Sequence, residues 1–293
     1  MKKPFLTYLK DEKRRKEEVI PGTYDLVFKH IFTTQKEYLA DIINYITGLP
    51  REEIINNAEI KNSEYIIENI EESKKTSDII IEINNNIINL EMNRIYYSEL
   101  NRRNNKYMHK LSSLNNNQKN IIQINFDDFN ENKNNRVIRK YIMMEEKTGE
   151  IDKDSLIKYK INLALISEKY YNKEKLNRFE KEILMLKICN KEELYNISKG
   201  DVIMESLNNE LKKLSDDKYL AMLYDKEEAD AERNRCLIKD AINEGIEQGK
   251  EEGYLIGEKE KSYKIARNMI NMNMSIEDIS KATGLSIEEI QKI

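Results

Sequence analysis

The sequence predicts a unit of mixed α and β structure, α+β or α/β, followed by a mainly helical second half. Three observations lead there. Nine Gly and three Pro among 293 residues leave little material for a turn-rich all-β sandwich, and plentiful Glu, Lys, Leu and Ile favour helices. Between Ile54 and Asn93 the β-branched content rises sharply, as short Ile-rich runs separated by Asn, Ser and Lys clusters. On either side of that stretch, apolar residues recur at helical spacing.

In order along the chain, residues 1–19 read as a basic arm, mobile or weakly helical. The first eighteen residues carry seven basic and four acidic side chains without an apolar period. From Thr23, Leu26, Val27, Ile31 and Phe32, then Leu39, Ile42, Ile43 and Ile46, describe a helical pair that Gly48 and Pro50 close near Thr47. The Ile-rich strands follow, then a helix from about Ser98 to Leu114, then strands over Ile121 to Phe126 and Val137 to Met144. This order defines a core over 20–150. After about Glu150 strand signals fade. Amphipathic stretches at Leu176 to Ile188 and Val202 to Leu214 give a helical elaboration over 151–224.

Residues 225–261 hold twelve acidic and seven basic side chains, with Gly245, Gly249, Gly253 and Gly257 at a constant interval of four. Four helical residues advance roughly 400°, so these glycines trace one slowly drifting groove. It suits an exposed helical linker or a homo-oligomer contact. Residues 262–293 read as a small helix-turn-helix-like element: Tyr263 to Met272, Ser275 to Thr283, and Ser286 onward. Ser275 with Asp278 and Ser286 with Glu289 have the spacing of N-caps facing acidic N3 residues, and Gly284 stands where a helix would stop. Basic and acidic residues balance from Lys264 onward and the last helix opens with acids, which favours a packing or partner-binding element over direct base reading.

Composition excludes several functions. The 49 Lys and Arg against 53 Asp and Glu give a formal net charge of -4, hence no global attraction to nucleic acid or acidic membranes. Two cysteines, Cys189 and Cys236, argue against a disulfide framework or a Cys-rich zinc site and for a reducing, cytoplasmic setting. No apolar run approaches the roughly 20 residues of a membrane span, so no membrane partner is expected. His30 and His109 cannot supply a multi-histidine metal site, which leaves carboxylates for any metal chemistry. There is no glycine-rich phosphate loop, no Gly-x-Ser-x-Gly elbow and no persuasive Cys-His pair.

The segment from Ser77 to Asn93 invites a hairpin. Asn tolerates the positive φ of tight turns, and a two-residue turn at Asn85 and Asn86 would pair Ile83 with Ile88, Ile81 with Leu90, Ile79 with Met92 and Asp78 with Asn93. One face is then wholly apolar: Ile79, Ile81, Ile83, Ile88, Leu90 and Met92. The other carries Asp78, Ile80, Glu82, Asn89, Glu91 and Asn93. Glu91 falls diagonally across from Asp78, at roughly 7–8 Å, a gap two carboxylates can close around one cation such as Mg²⁺. Spacing alone favours an ordinary solvated sheet face over a metal site.

A local basic patch follows. Between Arg94 and Lys119 there are six basic residues (Arg94, Arg102, Arg103, Lys106, Lys110, Lys119) against Glu99. Arg102, Lys106 and Lys110 form an i, i+4, i+8 stripe, opposite an apolar side supplied by Leu100, Tyr107, Leu111 and Leu114. A second cluster comprises Lys133, Arg136, Arg139 and Lys140. These are candidate phosphate contacts for DNA.

The order Asp25-x-x-Phe28-Lys29-x-Ile31-Phe32, Asp78 heading an apolar strand, Asn89-Leu90-Glu91-Met92-Asn93, Arg102-Arg103 and Tyr107 resembles the PD-(D/E)XK nuclease superfamily. More narrowly, it is similar to the transposase-like branch that includes the Rpn recombination-promoting nucleases. The likeness extends to the Gly-periodic tail and to Thr283-Gly284-Leu285-Ser286-x-Glu288-Glu289-Ile290. The resemblance implies an α/β, restriction-endonuclease-like mixed sheet flanked by helices. It implies a DNA endonuclease in which Asp78 and Glu91 hold Mg²⁺, with Mn²⁺ as a substitute, and a link to recombination or mobile elements. The superfamily pattern ends in Lys two residues after the Glu, and the branch commonly has Gln; this sequence has Asn93, an amide that orients water but is a poor base. Asp25 matches an acid near the start of the family's first core helix and is an auxiliary site candidate. The alternative is a catalytically inactive relative that binds DNA or self-associates.

Overall fold

Alternation of side chains across an Ile-rich hairpin builds the centre of the protein. The structure, a computed structural model, describes residues 8–9, 11–61, 79–113, 119–131, 135–152 and 156–293. It divides into two compact units, residues 1–226 and 227–293. In the first, a short helix α1 (Glu12–Glu17) precedes α2 (Asp25–Thr34), α3 (Lys36–Thr47) and α4 (Arg51–Asn57). Then come strands β1 (Glu59–Lys61), β2 (Ile79–Ile83) and β3 (Asn86–Asn93), helix α5 (Leu100–Ser113), and strands β4 (Asn120–Asp127), β5 (Ile138–Tyr141) and β6 (Ile157–Asn162). Helices α6 (Leu163–Tyr171), α7 (Arg178–Met185), α8 (Lys191–Ser198) and α9 (Val202–Asp216) follow. Helix α10 spans Lys218–Asn271, and α11 (Ile276–Thr283) and α12 (Ile287–Ile290) belong to the second unit.

The strands form one sheet in the order β1-β2-β3-β4-β6-β5. β1, β2 and β3 pair antiparallel, β3, β4 and β6 pair parallel, and β5 is antiparallel to β6. The parallel β3–β4 step needs a crossover, and α5 supplies it. Mixed sheet and flanking helices are those of a restriction-endonuclease-like α/β fold.

One face of the sheet is apolar and carries the main core. Ile79, Ile81, Ile83, Ile88, Leu90, Ile122, Ile124, Phe126 and Ile161 are buried there against α2, α3, α7 and α9. Phe28 and Phe32 of α2 both meet Phe126 with ring centroids 5.4 Å apart. α5 covers the opposite face, where Met108 and Leu111 close a small cluster with Ile80 and Ile121.

Four sequence expectations are corrected. The hairpin turns at Asn84 and Asn85, with Asn84 at φ +50°, and pairs Ile81 with Ile88 and Ile79 with Leu90, two residues off the predicted register. A slip of two preserves every residue's face, so the hydrophobic pattern could not choose between the registers. The Ile54 region opens in helix α4: α3 stops at the left-handed Gly48, and Pro50, whose fixed φ suits a helix start, is the N-cap of the next helix. The strands do not end near Glu150: β6 inserts between β4 and β5, so the sheet extends into the stretch read as helical elaboration. Finally, the described part of the arm is anchored at its ends: α1 is short and has no buried residue, as a weakly helical arm would be, but Tyr8 and Val19 on either side of it are buried. Tyr8 is buried in the main core, and the backbone N–H groups of Tyr8 and Leu9 donate to the Asp225 carboxylate at 2.5 and 3.0 Å.

The second unit matches its pattern closely. Ser275 caps α11, Gly284 takes the left-handed conformation at φ +73°, and Ser286 with Glu289 forms a capping box on α12. Ala266, Ile279, Leu285 and Ile290 are its core. Tyr263 to Met272 is continuous with the long charged helix rather than separate from it, apart from the closing Met272.

Candidate active site

Polar residues alternate along β3, β4 and β6, and the sheet register lines them up in rows under α5. Asn89 pairs with Gln123 and Gln123 with Lys158; Glu91 with Asn125 and Asn125 with Lys160; Asn93 with Asp127 and Asp127 with Asn162. Arg139 of β5 extends the Glu91 row opposite Lys160. The face predicted as polar is therefore present, but it is covered. Asn89, Glu91, Asn93, Gln123, Asn125, Asp127 and Asn162 are all buried.

Burial obliges these groups to partner one another. Glu91, 1% exposed, accepts from Asn89 Nδ2 at 3.0 Å, and Arg103 Nη2 lies 3.8 Å from its Oε2. The same Arg103 Nη2 donates to Asn93 Oδ1 at 3.0 Å, while Asn104 Nδ2 reaches that oxygen at 3.5 Å. Asn93 Nδ2 donates to Asp127 Oδ1 at 2.8 Å. Asn104 also donates to Asn125 Oδ1 at 2.9 Å, which ties the middle of α5 to the central strand.

Beyond Asp127 the charges alternate. Burial pushes the Asp127 carboxyl up to about 6, against the pull of its Asn93 hydrogen bond and of Lys160 and Arg139. Lys160 Nζ and Arg139 Nη2 stand 2.7 and 3.5 Å from Glu131 Oε2. Burial raises the Glu131 carboxyl, but the bond to Lys160 and the hydrogen bond from Asn101 outweigh it and hold the group below its ordinary value. Lys158 is lowered by burial and by neighbouring Lys160.

The structure brings together Glu91, Asn93 and Arg103 of the residues singled out from sequence. Asp78 lies outside the described residues; Ile79, next in the chain, pairs with Leu90, the residue before Glu91. Asp25 opens α2, the helix packed on the apolar face, with its carboxylate 3.1 Å from Lys29 Nζ. Arg102 and Lys106 are exposed on α5 and Lys110 is half-buried. Arg103, grouped with them in the sequence as a DNA contact, reaches into the polar cluster while its side chain stays 36% exposed. Asp127, Asn104, Asn125 and Lys160 were not anticipated. For Asn125 and Asp127 the sequence carries a signal: Gln123, Asn125 and Asp127 alternate with Ile122, Ile124 and Phe126, the period of a strand with one polar face.

Among the described residues, no group of three or more His, Cys, Asp and Glu side chains is arranged to hold a metal ion. A cavity of about 550 Å³ lined by Asp41, Arg51, Arg178 and Glu182 opens among α3, α7 and α9. It lies on the apolar side of the sheet and is separate from the Glu91 cluster.

This fold, with an acid and an amide two residues apart on a buried strand beside a basic crossover helix, defines a PD-(D/E)XK-type nuclease architecture. Residues 22–241 match the PD-(D/E)XK nuclease family transposase, and the chain belongs to that family. Residues 259–293 match the C-terminal helix-turn-helix domain of the Rpn/YhgA-like nuclease family. No curated protein and no solved structure matches the chain. No described helix is long and apolar enough to cross a membrane.

Proposed function

We infer that the protein is a divalent-metal-dependent DNA endonuclease acting in recombination or on mobile elements. The observation that carries this reading is Glu91, a buried carboxylate on β3, sharing one guanidinium with Asn93 at the carboxyl ends of parallel strands. Glu91 and Asp78 are the residues that would hold Mg²⁺, or Mn²⁺ in its place; both offer the hard oxygen donors that these ions prefer. Bound there, the ion supplies Lewis-acid polarisation of a phosphate and an acidified water.

The chain's own residues do the rest. Arg103 provides the positive charge that the sequence lacks at position 93, held where negative charge would develop on a phosphate. Asn93 donates one N–H to Asp127 and keeps a second with which to orient a water. Arg102, Lys106 and Lys110 carry the phosphates that flank the scissile bond. With two cysteines in its sequence, Cys189 and Cys236, the protein is placed by this reading in a reducing, cytoplasmic setting.

A second reading draws support from Asn93 itself. It carries no charge and spends its oxygen on Arg103 and Asn104, which suits an inactive relative that binds DNA or self-associates through the Gly245 to Gly257 helix. Supercoiled plasmid incubated with Mg²⁺ or Mn²⁺ separates the two. Metal-dependent nicking by the wild type, lost in Asp78→Ala and Glu91→Ala, is the expected result. DNA retardation without nicking would establish the binder.

A further inference from the structure

The strand that carries Glu91 and Asn93 runs directly into three large side chains that the core leaves uncovered. Ile95, Tyr96 and Tyr97 are 65%, 49% and 41% exposed, in the loop between β3 and α5. A single exposed apolar side chain needs no explanation; three in succession at the mouth of a polar site do. The guanidinium of Arg103 sits 5.8 Å from the Tyr97 ring centre and 5.8 Å from that of Tyr107, while its Nη2 reaches Asn93 and Glu91. Tyr96 meets Phe129 edge-on, with ring centres 5.4 Å apart, just beyond the end of β4. The loops after two neighbouring parallel strands thus each bring an aromatic ring to the strands' carboxyl ends, where open α/β sheets take their ligands.

Resting on the nuclease reading, we propose that Tyr96 and Tyr97 form a stacking platform for unpaired bases, so that the preferred substrate is DNA with single-stranded nucleotides beside the cleaved phosphate. A base inside a duplex has both faces covered by its neighbours. An unpaired base offers a π-face whatever its identity, and rings with a cation close behind them accept it without reading sequence. Arg103 covers part of Tyr97 and leaves the rest of the ring open. Because that guanidinium also holds Asn93 and faces Glu91, a base on Tyr97 is one side chain away from the acid. Arg102 and Lys106, exposed on the adjoining helix, supply backbone contacts that a bare aromatic patch would lack.

The test is fluorescence anisotropy with the full chain and metal withheld. It compares a paired duplex with the same duplex carrying a short single-stranded flap that contains 2-aminopurine. The flapped DNA is expected to bind roughly tenfold more tightly with quenched 2-aminopurine emission, and Tyr96→Ala and Tyr97→Ala to abolish both differences, whereas Tyr97→Phe keeps them. Equal affinity for the two DNAs, or a preference that survives both alanine variants, overturns the platform. Flap preference without metal-dependent nicking upholds the platform and removes the nuclease reading. Nicking with no flap preference does the reverse, and retention of neither DNA removes both.

Discussion

Arg103 Nη2 donates to Asn93 Oδ1 at 3.0 Å and lies 3.8 Å from Glu91 Oε2, so one guanidinium on the crossover helix serves both polar residues at the carboxyl end of β3. Nε of the same guanidinium donates to Asn104 Oδ1 at 3.3 Å, so the planar fork holds a third partner that a single ammonium nitrogen would not reach in the same pose.

Replacing Arg103 therefore tests where the site's cation resides. Arg103→Ala should lower single-turnover nicking by about 10²-fold, the usual cost of one preorganised charge-stabilising donor. Arg103→Lys should recover only part of this. An Arg103→Ala protein that nicks at the wild-type rate would remove Arg103 from the site.

The stability of the fold should depend on pH through two buried carboxyls. Burial pushes Asp127 up to about 6 and Glu182 up to about 7; for Glu182, Arg178 opposes the shift while Asp41 and Asp201 add to it. Glu182 Oε1 is 3.1 Å from Arg178 Nη2, which also holds Asp41 at 2.7 Å. In the unfolded chain both groups lose their protons near their ordinary values of about 4. Between there and 6 to 7 the folded state binds more protons, so stability falls as pH rises and levels off above about 7. Urea unfolding at stepped pH should show this slope, flattened in Glu182→Gln and Asp127→Asn; a stability that rises over that window would contradict both shifts.

Gly22 has no room for a side chain. A Cβ there would stand 2.9 Å from Leu186 Cα, beside the Thr23 N–H that donates to Leu186 O at 2.9 Å. Gly22→Ala should cost about 1–3 kcal/mol, as overpacking against backbone does. Thermal unfolding would read it as a lower Tm, and an unchanged Tm would show that the Leu186 turn gives way freely.

The hairpin register should answer to Asn84, which holds φ +50° and whose Nδ2 donates to Glu53 Oε2 at 2.8 Å. Asn84→Gly should be nearly neutral, whereas the β-branched Asn84→Val should cost about 1–2 kcal/mol for the left-handed conformation. A urea midpoint that does not distinguish the two variants would argue against this turn.

Much of the architecture is legible in the sequence. The helical pair, the strand at Ile121 to Phe126, a strand within Val137 to Met144 that covers Ile138–Tyr141, and the caps at Ser275 and Ser286 rest on short-range rules of spacing and capping. β6 escaped because the run Ile157-Lys158-Tyr159-Lys160-Ile161 alternates lysines with apolar residues, and isolated lysines read as solvent-facing. In the sheet Lys160 is buried and bonded to Glu131, a partner 29 residues away that no local pattern announces.

From its letters alone, this chain determines which residues of the Ile79 to Asn93 hairpin share a face, because alternation is a property of neighbouring peptides and survives a slip of two. Only the tertiary structure decides that the polar face is roofed by α5, that Arg103 turns inward while Arg102 turns out, and that Asp127 sits under Asn93. Those contacts join segments 10 to 34 residues apart, and their geometry exists only once parallel strands and crossover helix have packed together.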